Sequence, residues 1–299
     1  MVGKQTQFIR DFTNAALRFD CDKVIDHDYA AFYARIFTDI DASAPRLLEI
    51  GAGGYGDPQA GGASGRVWSE LLSDWSIVII DLEPKAFAWP ERTTFLQADQ
   101  TDTASLKRIG EEHGPFDVII DDGSHRNADI RTSLWSLFPY LKEGGHYVIE
   151  DTQTSYIPSY GGDMKRNSAT TANLVRDLFD YANAPELPSS RKVPAIFRDT
   201  VEEVYFRHNI VDIRKRTAVR RSNLSEQGLA SMLAEAEAVL DPQVHGPGYW
   251  LRRSRYLARL GQILPARQLL EAGRDQWPQD REINTALAWL QHLERGDGA

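Results

Sequence analysis

Two stretches of this sequence end in side chains that could do chemistry. FDVIIDDGSH, residues 116–125, closes on Asp121, Asp122, Gly123, Ser124 and His125, and GGHYVIEDTQTSY, residues 144–156, carries Glu150 and Asp151 directly after an apolar run. If the two runs are neighbouring strands of a parallel sheet, up to four carboxylates and one imidazole converge at one sheet edge. Packed like charges are costly unless a cation sits among them. Carboxylate oxygens with open positions suit Mg2+ or Mn2+ rather than zinc. His125 follows a Gly-Ser turn three residues after Asp122, and an unperturbed imidazole, with a pKa of about 6.5, is the natural proton acceptor near neutral pH. His113 and His146 read as structural, and His208, in a β-like segment, is intermediate.

A second set of residues suggests a nucleoside site. In LLEIGAGGYG, residues 47–56, an apolar run leads into Glu49, Gly51, Gly53 and Gly54, where glycine permits a tight turn and close backbone approach to a ligand. The next apolar run, SIVIID, ends in Asp81, placed to take both ribose hydroxyls. A third leads to Ala98-Asp99-Gln100, polar groups suited to an adenine edge. Dinucleotide binding is the nearest rival. Its G-x-G-x-x-G pattern runs straight into a helix, whereas here Pro58 and the GGASG segment delay the helix to about Ser64. A cofactor without a pyrophosphate, such as S-adenosylmethionine, fits better, with a structural glycine turn as the remaining alternative.

These residues need elements to hold them. Short apolar runs at Leu47–Ile50, Ile77–Ile80, Thr94–Leu96, Val118–Ile120 and Tyr147–Ile149 alternate with helix-like segments, the pattern of an α/β fold with a doubly wound, Rossmann-like parallel sheet. Phe8, Phe12, Ala16, Leu17, Tyr29, Phe32, Tyr33 and Ile36 recur at helical steps and predict a helical lead-in over 1–45. The sheet domain is expected over 46–222. It includes a loop carrying Tyr156 and Tyr160, a helix from Thr170 to Asn183, and a β-like pair with Val201, Val204, Phe206, Ile210, Val211 and Ile213 in the core. The basic cluster from Arg207 to Arg221 reads as solvated surface. A helical tail over 223–299 spaces Trp250, Leu257, Gly261, Ala266, Leu270 and Pro278 like one tetratricopeptide unit, with Pro242 about one period earlier. A plain helical hairpin explains that spacing equally well. Such a tail is expected to pack on the catalytic domain, on a second copy in a homo-oligomer, or on a partner.

Composition removes several classes. With 34 Lys+Arg against 43 Asp+Glu, the net charge of −9 argues against nucleic acid as the main partner. Cys21 is the only cysteine, so neither an intrachain disulfide nor a Cys-based zinc site can form. No run approaches the roughly 20 apolar residues of a membrane span, and the polar opening MVGKQTQFIRDF lacks the apolar run of a signal peptide. A cytoplasmic location is expected.

The segments LEIGAGGYGDPQAGGASGRVWSELL, IIDLEPK, ADQTD, FDVIIDDGSHRNADIRTSLWSLFPYLKEGGHYVIEDTQTSYIPSYGG and YFRHNIVDI together resemble the metal-dependent sugar O-methyltransferases, class I enzymes that use S-adenosylmethionine. Asp22, Lys23, His27, Tyr29 and Tyr33 are similar to that family's lead-in, although Cys21 stands where Thr is usual, and the helical tail is not part of the family pattern. The resemblance covers roughly residues 20–220. It implies Mg2+ held by Asp122, Glu150 and Asp151, with His125 as general base. It also implies S-adenosylmethionine contacts from Glu49, Gly51, Gly53, Tyr55, Ser64, Asp81, Asp99, Gln100 and Asp121. The acceptor would be a glycosylated small molecule or a surface glycan. A non-enzymatic scaffold with a relict methyltransferase domain is the competing class.

Overall fold

The computed structural model describes residues 2–165, 167–187, 192–216 and 246–294, with isolated positions between 222 and 234. Pro242 and residues 217–221 of the basic cluster lie outside them. The chain divides into two compact units, residues 1–184 with 189–218 and residues 185–188 with 219–299.

The first unit is built on a seven-stranded sheet. Strands β1 (Arg46–Ile50), β2 (Ser76–Asp81), β3 (Thr93–Gln97), β4 (Phe116–Asp121), β5 (Leu141–Ile149), β6 (Val201–Arg207) and β7 (Ile210–Lys215) lie in the order β3-β2-β1-β4-β5-β7-β6. Pairings among β1 to β5 are parallel, and β7 pairs antiparallel with both β5 and β6. This is the doubly wound, Rossmann-like sheet of class I methyltransferases. Strand order reverses between β1 and β4, which opens a crevice at their C-terminal ends where such sheets bind ligands.

Helices α1 (Val2–Phe19), α2 (Asp22–Ile25) and α3 (Ala30–Phe37) precede the sheet. Helices α4 (Ala63–Leu71), α5 (Thr103–His113), α6 (Asn127–Leu137) and α7 (Thr171–Ala182) follow within it. The lead-in shares the sheet's core rather than standing apart. Phe12, Tyr33 and Phe37 ring Trp68 of α4 at centroid distances of 5.1, 5.1 and 5.3 Å, and all four side chains are buried. Aromatic pairs at such spacing add about 0.5–1.5 kcal/mol each beyond the area they bury. This packing brings α2 and α3 beside the C-terminal edge of β1.

The β6–β7 hairpin departs from expectation in two places. Phe206, expected in the core, is 69% exposed because β6 is an edge strand. Lys215, expected on a solvated surface, is buried and donates to the carbonyls of Phe138, Pro139 and Leu141 at 3.2, 2.9 and 2.7 Å. Three acceptors satisfy its ammonium at the end of the 3-10 turn Phe138–Tyr140.

The second unit contains α8 (Pro247–Arg259), α9 (Ile263–Gln276) and α10 (Arg281–Glu294). Trp250, Ala266, Leu270, Ile283, Leu287 and Leu290 form its core. Gly273 lies against Trp250, where a Cβ would sit 2.6 Å from the indole, so the large residue and the small one lock α8 to α9. A cleft of about 730 Å³ in this unit is lined by Arg255, Leu270, Arg281, Ala286, Trp289 and Leu290, and none of the expected site residues is among them.

Candidate active site

The register of the sheet assembles the acidic groups. Ile50 of β1 pairs with Asp121 of β4, which pairs in turn with Ile149 of β5. Backbone bonds carry the ladder one step further, from Asp122 N–H to the Ile50 carbonyl at 2.9 Å and from Glu150 N–H to the Asp121 carbonyl at 3.0 Å. Asp122 and Glu150 therefore emerge side by side at the switch point. Gly51 cannot be replaced there, because its φ is +101° and a Cβ would meet the Asp122 carbonyl oxygen at 2.0 Å.

Asp122, His125 and Asp151 face one another with ligand atoms that all lie within 4.8 Å. His125 Nε2 is 4.0 Å from Asp122 Oδ1 and 3.8 Å from Asp151 Oδ2. Both His125 and Asp151 adopt left-handed backbone, with φ of 57° and 53°. Side chains rarely take that conformation, and it costs about 1–3 kcal/mol where the surroundings impose it. Two such residues aimed at one point mark a site whose geometry is held at some cost to stability.

Glu150 is placed differently. It is buried, and its Oε1 accepts from Lys23 Nζ at 2.8 Å and from the Tyr33 hydroxyl. Burial pushes its carboxyl well above the usual range, the Asp122 charge adds to that, and Lys23 opposes it. Lys23, also buried, reaches Asp122 Oδ2 at 2.5 Å and Glu49 Oε1 at 3.5 Å. Burial alone would discharge this ammonium, but the Asp122, Glu150 and Glu49 carboxylates outweigh it and hold the group protonated.

The lead-in supplies three more groups that the residue patterns alone did not single out. Tyr33 binds Glu150, Tyr29 donates to Asp151 Oδ1 at 3.0 Å and to the Asn209 carbonyl at 3.1 Å, and His27 Nδ1 lies 3.5 Å from Asp151 Oδ1. Asp151 therefore has an imidazole on each of its oxygens. Asn209, in the turn between β6 and β7, also accepts from Thr152 N–H at 2.9 Å and so ties the hairpin to the acidic edge. The loop after Asp151 forms two 3-10 turns, Thr152–Tyr156 and Pro158–Tyr160. Buried Asn127 pins it by donating to the carbonyls of Thr154 and Tyr160 at 3.2 and 3.0 Å.

On the nucleoside side, Asp81 accepts from Ala52 N–H at 2.7 Å through Oδ2 and from Glu83 N–H at 2.8 Å through Oδ1, with lone pairs left on both oxygens. Lys85 donates to the Gly53 carbonyl at 2.5 Å and to that of Tyr55 at 3.2 Å. Glu49 is fully buried and accepts from Ser64 Oγ at 2.8 Å and Trp68 Nε1 at 3.1 Å, so Glu49 and Ser64 bind each other and clamp α4 to β1. Gln100 accepts from Ser124 N–H at 2.7 Å and donates to Asp121 at 3.3 Å. Asp121 also accepts from Ser133, and burial pushes its carboxyl up to about 6. Asp99 is exposed and caps Thr101, and Tyr55 is 92% exposed. The structure thus gathers Gly51, Gly53 and Asp81 at the crevice, with Gln100 and Asp121 bonded beneath it.

No family model matches the chain. It is 38% identical over 192 residues to the mycinamicin VI 2''-O-methyltransferase of Micromonospora griseorubida, covering 63% of this chain and 48% of that protein. It is also 38% identical over 202 residues to the 8-demethyl-8-alpha-L-rhamnosyl tetracenomycin-C 2'-O-methyltransferase of Streptomyces olivaceus, covering 67% and 53%. The MycE methyltransferase of the mycinamycin pathway, solved in complex with Mg, SAH and mycinamycin VI, aligns with a TM-score of 0.65 at 37% identity over 69% of this chain and 53% of that one. The chain spans about half the length of these relatives. These relatives are macrolide and sugar O-methyltransferases, and the α/β unit of this chain has their class I methyltransferase fold.

Proposed function

We propose that the chain moves the methyl group of S-adenosylmethionine to a hydroxyl of a sugar, borne by a glycosylated natural product or a surface glycan, with Mg2+ as a resident cation. The observation that carries this reading is the meeting of Asp122, Asp151 and His125 beside the Gly51–Asp81 crevice. Two carboxylates whose oxygens lie within 4.8 Å of each other offer the oxygen donors that suit a hard divalent cation with open positions, and the imidazole beside them is left for the proton. Asp122 and Asp151 would hold the ion, with Glu150 adjoining them. When bound, it would supply positive charge that orients the acceptor's oxygens and lowers the hydroxyl pKa.

The remaining work falls to the chain's own residues. S-adenosylmethionine, when bound, would supply the methyl carbon: an O–C bond to the acceptor would form as the C–S bond breaks, leaving the neutral thioether S-adenosylhomocysteine and a hydroxyl proton for the chain to remove. His125 Nε2, 24% exposed and facing both aspartates, takes the hydroxyl proton. Asp122 and Asp151 stabilise the imidazolium that results. Tyr156, half exposed on the pinned loop, would stack on a sugar ring. A relict scaffold would have no use for a buried lysine among three carboxylates, and this disfavours the non-enzymatic alternative.

The lead-in (1–45), the sheet domain (46–222) and the tail (223–299) would divide the labour, with the tail contacting a second copy or a partner. Among the described residues no helix is long and apolar enough to cross a membrane. A lone cysteine, buried and free, suits a cytoplasmic setting.

Calorimetric titration with S-adenosylmethionine tests the cofactor half. Wild-type protein is expected to bind, and Asp81→Ala to bind about 1.5–3 kcal/mol more weakly, the scale of hydrogen bonds to a charged group. Equal affinity in the two proteins would remove Asp81 from the ribose site.

A further inference from the structure

We propose that Lys23 is the positioning residue of the cation site, because its ammonium grips one oxygen of Asp122 and one of Glu150 and thereby turns the other Asp122 oxygen toward His125 and Asp151. The inference rests on the reading that Asp122 and Asp151 hold a divalent cation. Nζ lies 2.5 Å from Asp122 Oδ2 and 2.8 Å from Glu150 Oε1, whereas the oxygen that faces His125 is Asp122 Oδ1. One carboxylate thus has its two oxygens assigned to different duties. Oδ2 is fixed by an ammonium that is only 1% exposed, and Oδ1 is presented to the site.

The placement is specific. A surface lysine would neutralise acidic charge without order, at the entropic cost of holding a long chain still. Lys23 instead sits on the four-residue helix α2, which is held at both ends by backbone bonds. Cys21 N–H donates to the Ala16 carbonyl at 2.9 Å, and Tyr29 N–H donates to the Lys23 carbonyl itself at 2.9 Å. The third acid in its reach, Glu49 at 3.5 Å, is bonded to Ser64 and Trp68 of α4. One ammonium therefore links the strand end that carries the glycine loop to the strand ends that carry the acids. Groups that hydrogen-bond metal-ligating carboxylates orient them, and removing such a group typically costs about 10–100-fold in metal affinity.

The test uses Mn2+ alone as the probe, titrated into the full chain without cofactor or acceptor and followed by the loss of free-ion paramagnetic signal. Wild type is expected to bind one ion, Lys23→Met to bind it about 10–100-fold more weakly, and Lys23→Gln, which keeps a donor, to fall between them. Because Lys23→Met leaves the buried Glu49 and Glu150 and the partly buried Asp122 uncompensated, a second comparison guards against misfolding. The double variant Lys23→Met/Glu150→Gln removes an ammonium and a carboxylate together, and should bind Mn2+ at least about tenfold more weakly than Glu150→Gln alone. Folded Lys23→Met, or the folded double variant, matching its reference within about threefold or binding more tightly would overturn the proposal and leave Lys23 as a neutralising charge. Absence of Mn2+ binding by wild type would instead overturn the cation reading, and the proposal with it.

Discussion

Replacing His125 by Ala is expected to lower methyl transfer by about two to four orders of magnitude, the usual worth of a positioned general base. His125 Nε2 faces Asp122 Oδ1 and Asp151 Oδ2, whose charges favour the imidazolium that proton transfer would form. Its left-handed φ of 57° complicates the Ala variant, because an added strain of about 1 kcal/mol could be mistaken for lost chemistry. His125→Asn avoids this: Asn tolerates left-handed backbone but cannot carry the proton, so it should be nearly as inactive as Ala at unchanged melting temperature. Single-turnover rates with saturating cofactor make the comparison. Should both variants transfer methyl within a few-fold of wild type while Mn2+ affinity drops, His125 is a metal ligand and not the base.

Charge removal at the two aspartates gives the second large effect. Asp151→Asn and Asp122→Asn are each expected to cut turnover by roughly two to three orders of magnitude, since stabilisation by a bound cation is worth several kcal/mol and about 1.4 kcal/mol is a factor of ten. The two should separate in stability. Asp151 lies outside the Lys23 group, its left-handed backbone suits Asn, and the Tyr29 hydroxyl can still donate to the amide oxygen, so Asp151→Asn should melt near wild type. Asp122 Oδ2 is 2.5 Å from a buried ammonium, and weakening a hydrogen bond between charged groups costs about 1.5–3 kcal/mol. Asp122→Asn should therefore melt several degrees lower, and differential scanning calorimetry reads the difference. Equal melting temperatures would show that Glu150 and Glu49 suffice for Lys23.

Much of this arrangement was legible in the residues. All five predicted runs fall inside β1 to β5, the clearest where a strand is buried on both faces and reads as an unbroken apolar run, as in β1, β2 and β4, whereas the edge strand β3 is half exposed. Asp122, Asp151 and His125 could be paired because each follows such a run, and strand ends in a parallel sheet share an edge. The contributions of Lys23, Tyr29 and Tyr33 were not legible in this way. Their bonds to Asp122, Asp151 and Glu150 span about a hundred residues or more of chain, and helical periodicity assigned the two tyrosines to a core face. That assignment holds for their rings, which are buried, and says nothing about where the hydroxyls end. The one available signal was the Asp22–Tyr33 similarity to the sugar O-methyltransferase lead-in. The inward turn of Lys215 escaped for the same reason, since a lysine in a basic run shows no sign of the three carbonyls that await it.

Cation-dependent methyl transfer to a sugar hydroxyl can be read in a single assay. Protein stripped with excess chelator is incubated with S-adenosylmethionine carrying a labelled methyl group and a rhamnosylated polyketide acceptor, and label in the acceptor is counted before and after Mg2+ is restored. Transfer is expected to vanish with chelator and return with Mg2+, the label appearing as a sugar O-methyl group. Undiminished transfer in excess chelator would contradict the role given to Asp122 and Asp151.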